Sequence, residues 1–270
     1  MKALKIVAQA ALGVVLFFGI WYSLEKVDWM GVFRVEKAVD QTEEKLGDLF
    51  WEMFDKSENG YVNPVVVSAV DSMVTTICQS NTLNREHIKV HVVRKDDINA
   101  FALPNGHLVV YSGLITASQN PQELAGVICH EIAHIQMNHV MKKLVKEIGL
   151  SVLIAMASGN GGAEVMLEAS KLLSSSAFDR SLEKEADIKA VEYLIAAKLN
   201  PRPFADFLYK LSDDSNESEQ YYSWMSTHPD SKERAAYIIE ACQDDKTIYQ
   251  SALHDSTWTE VKKALEVPES

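Results

Sequence analysis

The chain begins with an almost unbroken apolar run, Ile6 to Tyr22, interrupted only by Gln9. That length lies at the short limit for a membrane-spanning helix and is long for a signal-peptide core. Lys2 and Lys5 precede the run, and Trp21, Tyr22 and Trp29 stand at its far end. No small-x-small pair follows it and no cysteine is placed for lipidation. The expectation is an uncleaved single-pass anchor, with a cleaved signal as the alternative. Lys2 and Lys5 before the run, against Glu25, Lys26 and Asp28 after it, put the amino end in the cytoplasm and the rest outside. In a bacterium this is an inner-membrane protein whose main domain is periplasmic.

Val35 to Phe54 is charged and partly amphipathic, and predicts a stalk helix. Asp55-Lys-Ser-Glu-Asn-Gly-Tyr61 starts like an EF-hand loop, but Val66 stands where the bidentate glutamate belongs, so the segment reads as a turn. From Pro64 to Gln79 the spacing of Val67, Val70, Val74 and Ile77 is helical. Three β-prone runs follow, Ile88 to Val93, Ile98 to Ala102 and Leu108 to Tyr111, the last two joined by Pro104-Asn-Gly106. They predict a small sheet. Asn120 as N-cap, Pro121 at the first position and Glu123 at the positive end start a helix. From Leu124 to Val145 apolar residues lie almost all round, which marks one buried helix.

Leu150 to Ala157 is apolar but too short to span a bilayer. The Ser-Gly-Asn-Gly-Gly that follows suits either a mobile flap over a cleft or a plain helix hairpin. Arg180 to Ile195 predicts another helix, Asp213 to Glu219 a polar loop, and the tail after Cys242 carries no motif. The expected fold is α+β and mostly helical, with segments 1–30 (anchor), 31–63 (stalk), 64–241 (main domain) and 242–270 (tail).

Composition narrows the partners. With 270 residues and 47% hydrophobic content the chain can bury a substantial core. A formal charge of −12 leaves no basic stripe to neutralise phosphates, so no nucleic-acid partner is expected. Cys78, Cys129 and Cys242 lie too far apart for a ligand cluster, and Cys129 is expected to serve in packing.

The chemistry is concentrated in Val127-Ile-Cys-His-Glu-Ile-Ala-His-Ile135. His130 and His134, at i and i+4 of a helix, point the same way about one turn apart, which suits two corners of a tetrahedral zinc site. Glu131 is then placed as general base toward a water. Burying these three groups unpartnered would cost roughly a few kcal/mol each, and a metal is the simplest common partner. A third ligand is sought on the Arg180 to Ile195 helix. At about 100° per residue, Glu183 and Asp187 share the apolar face with Ala190, Val191 and Leu194, whereas Glu185, Lys189 and Glu192 lie opposite and read as solvated. Glu183 is the expected ligand. Asp187, one turn on, is placed to accept a hydrogen bond from the non-metal nitrogen of a ligating histidine.

Four motifs taken together resemble the HtpX-like and CAAX prenyl protease family of zinc metallopeptidases, particularly its compact bacterial BepA-like members. They are Asn99-Ala-Phe-Ala-Leu-Pro-Asn-Gly106, the Glu-Leu-Ala-Gly-Val…His-Glu-Ile-Ala-His helix, Arg180-x-x-Glu-x-Glu-Ala-Asp187, and Ser226-Thr-His-Pro229 with Arg234. The resemblance spans roughly Pro64 to Ala241. It implies a mostly helical gluzincin core with a small sheet, one Zn²⁺ held by His130, His134 and Glu183, and Glu131 as base. By the same resemblance, Asn99, Ala100, Phe101 and Ala102 belong to an edge strand to which an extended peptide adds through main-chain hydrogen bonds. A plain core hairpin is the alternative. The chain departs from the family at His107, and lacks the multi-pass membrane core of the prenyl proteases, so prenylated substrates do not follow.

His228, before a proline at a predicted helix start, is placed to approach the zinc from the substrate side. There it would polarise the scissile carbonyl or occupy the metal and block the site. Arg234 is expected to fix this loop through an ion pair. The expected reaction is peptide hydrolysis in which Glu131 takes a proton from water and returns it to the leaving amine. Unfolded or misassembled envelope proteins are the expected substrates, with envelope-assembly partners possible. The alternative is a zinc-stabilised chaperone that binds such clients and rarely cleaves them.

Overall fold

Asn63 opens a helix in the way its sequence suggests: its side chain accepts a hydrogen bond from the Val65 amide at 3.0 Å and Pro64 takes the first position. The computed structural model describes residues 35–57, 62–212, 219–243 and 245–266. The expected anchor at Ile6 to Tyr22, most of the EF-hand-like turn and nearly all of the acidic loop from Asp213 lie outside the described residues. Among the described residues no helix is long and apolar enough to cross a membrane.

The elements are α1 (Val35–Ser57), α2 (Pro64–Ser80), β1 (Lys89–Val93), β2 (Ala100–Leu103), β3 (His107–Tyr111), α3 (Ser112–Ala117), α4 (Pro121–Gln136), α5 (His139–Glu147), α6 (Leu150–Ala157), α7 (Ala163–Ser175), α8 (Arg180–Ala196), α9 (Arg202–Leu211), α10 (Glu219–Thr227), α11 (Ser231–Ala241) and α12 (Asp255–Glu266). The chain is mostly helical with a small sheet, as expected. Contacts divide it after Thr42, and the unit from Glu43 to Ser270 contains the sheet and the helices around α4.

The sheet has the order β1-β3-β2, with β1 parallel and β2 antiparallel to the central β3. The β2–β3 connection, Pro104-Asn-Gly106, turns through left-handed conformations at Asn105 (φ 60°) and Gly106 (φ 71°). A Cβ on Gly106 would sit 1.8 Å from the His87 carbonyl oxygen, so only glycine fits there. β2 is an edge in topology. The Tyr111 amide donates to the Asn99 carbonyl at 3.0 Å, and antiparallel pairing alternates, so Ala100 and Ala102 turn their main-chain groups away from β3. The edge is nonetheless enclosed: all four β2 residues are buried and α7 packs against the strand.

One face of the sheet carries a charge cluster that includes His107. His91 Nε2 lies 2.9 Å from His107 Nδ1, Trp51 of α1 stacks on His91 at 3.5 Å between centroids, and Asp48 meets Lys89 at 3.0 Å and His107 Nε2 at 3.3 Å. Burial, then the neighbouring His107 and Lys89, push the His91 pKa down from its ordinary 6.5 to about 3. Burial and Lys89 lower His107 also, against Asp48. The unfolded chain therefore takes up protons near pH 6.5 that the fold refuses until much lower pH, so stability is full above that pH and falls as acid is added. Urea midpoints at pH 7 and pH 5 measure this. His91→Phe, which keeps a ring on Trp51, is expected to lose less between the two pH values than the parent; an equal loss would place the proton uptake elsewhere.

The long buried helix expected from Leu124 to Val145 is two helices. α4 ends at Gln136, Asn138 adopts a left-handed conformation (φ 54°), and α5 restarts at His139. Apolar residues on all sides had concealed the break, because a residue that changes direction remains buried in either helix. α4 crosses α9 at Gly126, where a Cβ would lie 2.3 Å from Phe204 Cβ, and this close approach seats Phe204 6.0 Å from the His130 ring.

Candidate active site

The donor atoms lie within the helical core, where α4 packs against α8 and α9. Asn120 caps α4, accepting from the Gln122 and Glu123 amides at 3.1 and 3.0 Å. That fixes the start of the helix and hence the direction in which His130 and His134 point. Their Nε2 atoms are 3.0 Å apart. Glu183, from the first turn of α8, brings Oε1 to 3.4 Å from His134 Nε2 and Oε2 to 3.7 Å from His130 Nε2.

His228 joins the same cluster. Its Nδ1 is 3.0 Å from Glu183 Oε1 and 3.4 Å from His130 Nε2, and among the described residues these four side chains are the one group able to hold a metal. His228 stands at the end of α10, its amide bonded to the Trp224 carbonyl at 2.8 Å and its ring stacked on Trp224 at 4.2 Å. The expected helix start is later, at Ser231, so His228 closes one helix rather than opening the next.

The donor spacing fits a metal ion. Four ligands at the 2.0–2.1 Å of Zn–N and Zn–O bonds stand about 3.3 Å apart at the corners of a tetrahedron, and the separations given above run from 3.0 to 3.7 Å. The donors are also sealed from water: His130, His134 and His228 are 0% exposed and Glu183 is 2% exposed. Burial drives the His130 pKa down to about 3 and lowers His134, leaving neutral imidazoles suited to ligation. Burial alone would raise Glu183, but His228 and Arg234 outweigh it and hold the carboxylate well below its usual range.

Asp187 lies one turn along α8, its Oδ1 2.8 Å from His130 Nδ1. Arg234 of α11 grips the same carboxylate with two bonds, Nε and Nη2 each at 2.8 Å, and places Nη1 2.6 Å from Glu183 Oε2. The Tyr237 hydroxyl donates to Asp187 as well. The outward set on α8 is not wholly solvated: Lys189 and Glu192 pair at the surface at 2.7 Å, but Glu185 reaches back to His139, with Oε2 3.4 Å from its Nε2.

Glu131 is 0% exposed, and neither of its carboxylate oxygens completes a hydrogen bond. Its closest cationic-capable neighbour is His228, whose Nε2 lies 3.3 Å from Oε1. Burial and the nearby Glu183 push the Glu131 pKa well above the usual carboxylate range, against Arg234 and the Ala102 amide. A buried carboxylate with a raised pKa beside a four-donor cluster is what a proton acceptor needs. Asn99 and β2 run alongside; the Asn99 Oδ1 is buried without a partner.

A profile of peptidase family M48 matches residues 66–241. The chain belongs to this family. Among M48 relatives, metalloprotease LoiP of Escherichia coli (strain K12) is 31% identical over 180 residues, 64% of this chain and 70% of that protein. The beta-barrel assembly-enhancing protease of Yersinia pestis is 27% identical over 207 residues, 71% of this chain but 42% of that protein. The chain thus spans under half the length of the assembly-enhancing proteases that it matches. The mitochondrial metalloendopeptidase OMA1 of Arabidopsis thaliana is 30% identical over 153 residues, 57% of this chain and 31% of that protein. Residues 66–241 are thus an M48 peptidase domain, and the cluster of His130, His134, Glu183 and His228 within it fits one metal ion.

The sequence left several residues of this M48 site unseen. Tyr237 had a signal, since it lies three residues after Arg234 on the same helical face. Phe178, stacked on His134 at 4.1 Å, precedes its helix in an irregular stretch that offers no periodicity. Trp224, under His228, lies on a helix whose mixed sequence shows no apolar stripe. His139 was hidden by the break at Asn138.

Proposed function

We propose that this M48 chain is an endopeptidase of the bacterial envelope, hydrolysing unfolded or misassembled proteins there. The observation that carries this reading is Glu131, buried and unpartnered beside the four-donor cluster. In it His130, His134 and Glu183 hold the zinc, Asp187 orients His130, and Arg234 locks Asp187 and Glu183 in place. Bound zinc supplies Lewis acidity that lowers the pKa of water toward about 7. Glu131 takes the proton of the attacking water and returns it to the leaving amine. Asn99, Ala100, Phe101 and Ala102 hold the substrate as an added strand, using the main-chain groups that Ala100 and Ala102 turn away from β3.

Beta-barrel assembly, in the name of one set of relatives, favours the bacterial envelope, and the Ile6 to Tyr22 run favours a single-pass anchor with the catalytic domain periplasmic. A reporter active only in the periplasm, fused after Ser270, is expected to be active while the cell-associated chain keeps its first residues. A soluble chain beginning near Ser23 would show that the segment is removed.

His228 adds a restraint. With Nδ1 3.0 Å from Glu183 Oε1 and Nε2 3.3 Å from Glu131 Oε1, it fills the space between the donor cluster and Glu131 that an attacking water would need, which makes this form a resting one. Casein is the test substrate: the parent is expected to cleave it slowly, to stop on zinc chelation, to recover on zinc addition, and to speed up in His228→Ala. Slower cleavage in that variant would instead make His228 a contributor to the reaction. If no form cleaves but the chain suppresses aggregation, the chaperone reading replaces the enzyme.

A further inference from the structure

A ligating histidine needs its second nitrogen fixed, or the ring turns and the wrong tautomer faces the metal. His130 has Asp187 for this. The second nitrogen of His134 meets a residue that the proposed mechanism does not use: His139 Nδ1 lies 3.1 Å from His134 Nδ1, the two rings meeting edge to face at 5.0 Å. Phe178 covers His134 at 4.1 Å and offers nothing polar.

We propose that His139 is the positioning residue of His134, accepting its Nδ1 proton so that Nε2 faces the metal. This rests on the reading of His134 as a zinc ligand. The proton assignment follows from that reading: if His134 Nε2 is a donor to metal, its Nδ1 carries hydrogen and His139 Nδ1 must accept it. His139 then carries its own hydrogen on Nε2, which completes no hydrogen bond and has Glu185 Oε2 3.4 Å away. His139 is 0% exposed and the Glu185 side chain 51% exposed, so the chain of groups runs from buried ligand to surface.

The helix break is what makes this possible. On one continuous helix a residue five positions after His134 would point about 140° away from it. Asn138, in a left-handed conformation that asparagine tolerates better than most residues, swings the start of α5 round and sets the His139 ring against His134. Both outer partners thus come from different places: Asp187 from α8 serves His130, and His139 from α5 serves His134.

Zinc affinity of the full-length protein, measured by competition with a chromophoric chelator, tests this. His134→Ala, which tests the ligand reading itself, is expected to lose tight zinc binding altogether. His139→Ala and His139→Gln are expected to weaken zinc by about 10–100-fold, the usual cost of removing an outer partner of a metal ligand. His139→Asn places an amide oxygen where Nδ1 stood and is expected to bind like the parent. Glutamine reaches past that point, so the Asn and Gln pair decides the matter even if the alanine variant folds poorly. Parent-like affinity in His139→Gln, or an Asn variant as weak as Gln, would overturn the positioning role. Parent-like affinity in His134→Ala would instead remove the ligand reading beneath it.

Discussion

Glu131→Gln is expected to lower casein hydrolysis by about 10²–10⁴-fold, the usual contribution of a general base, while zinc content and fold are retained. Glutamine matches glutamate in shape and the site is sealed, so His130, His134 and Glu183 keep their places. What disappears is the proton acceptor. The same carboxylate is also assigned the return of the proton to the leaving amine, so the loss belongs at the upper end of that range. The Ala102 amide and His228 Nε2, 3.3 Å away, are the groups beside this carboxylate, and a glutamine oxygen can face either, so a fall in rate reports on chemistry. Cleavage assays on zinc-loaded parent and variant decide it. A variant that cleaves casein at the parental rate would require another base, and His228, 3.3 Å away, would be the first candidate.

The second large effect is on the metal. Glu183→Gln is expected to drop zinc from about one ion per chain to well below that after dialysis, whereas Glu185→Gln keeps it. Removing a donor must cost at least the roughly 10–100-fold that loss of an outer partner costs. It also removes the charge that faces Arg234 Nη1, 2.6 Å from Glu183 Oε2, although the two bonds to Asp187 still hold the guanidinium. Glu185 is two residues away and half exposed, and glutamine can still accept from His139. Elemental analysis of dialysed protein gives the answer. Equal zinc loss in the two variants would undo the argument from helical faces.

Part of the site was legible in the sequence. The position of Glu183 and Asp187 on an apolar face was visible because a carboxylate amid Ala190, Val191 and Leu194 is out of place, and α8 is a straight helix in which periodicity translates directly into direction. The α4 motif was legible for the same reason, with Asn120 and Pro121 marking its start. The sheet followed from β-prone runs and the Asn105-Gly106 turn, though not its enclosure by α7, which depends on contacts distant in sequence. Periodicity failed at Asn138. A single left-handed residue reverses the geometry of everything after it without altering composition, and His139 was lost with it. His228 was placed near the metal but on the wrong helix, because the proline after it ends α10 as readily as it starts α11.

The enclosure of the centre has a thermodynamic meaning. With the three histidines fully buried, Glu183 only 2% exposed and β2 packed under α7, a peptide reaches Glu131 only when neighbouring elements part, and the free energy for parting must come from what binds. A ligand shifts such an equilibrium only by its differential affinity for the open form. A native protein has already spent its strand-pairing capacity internally and brings little of it. An extended or unfinished chain brings all of it, so under the proposed function selectivity for damaged proteins would arise as a work requirement at the entrance rather than as recognition of any particular side chain.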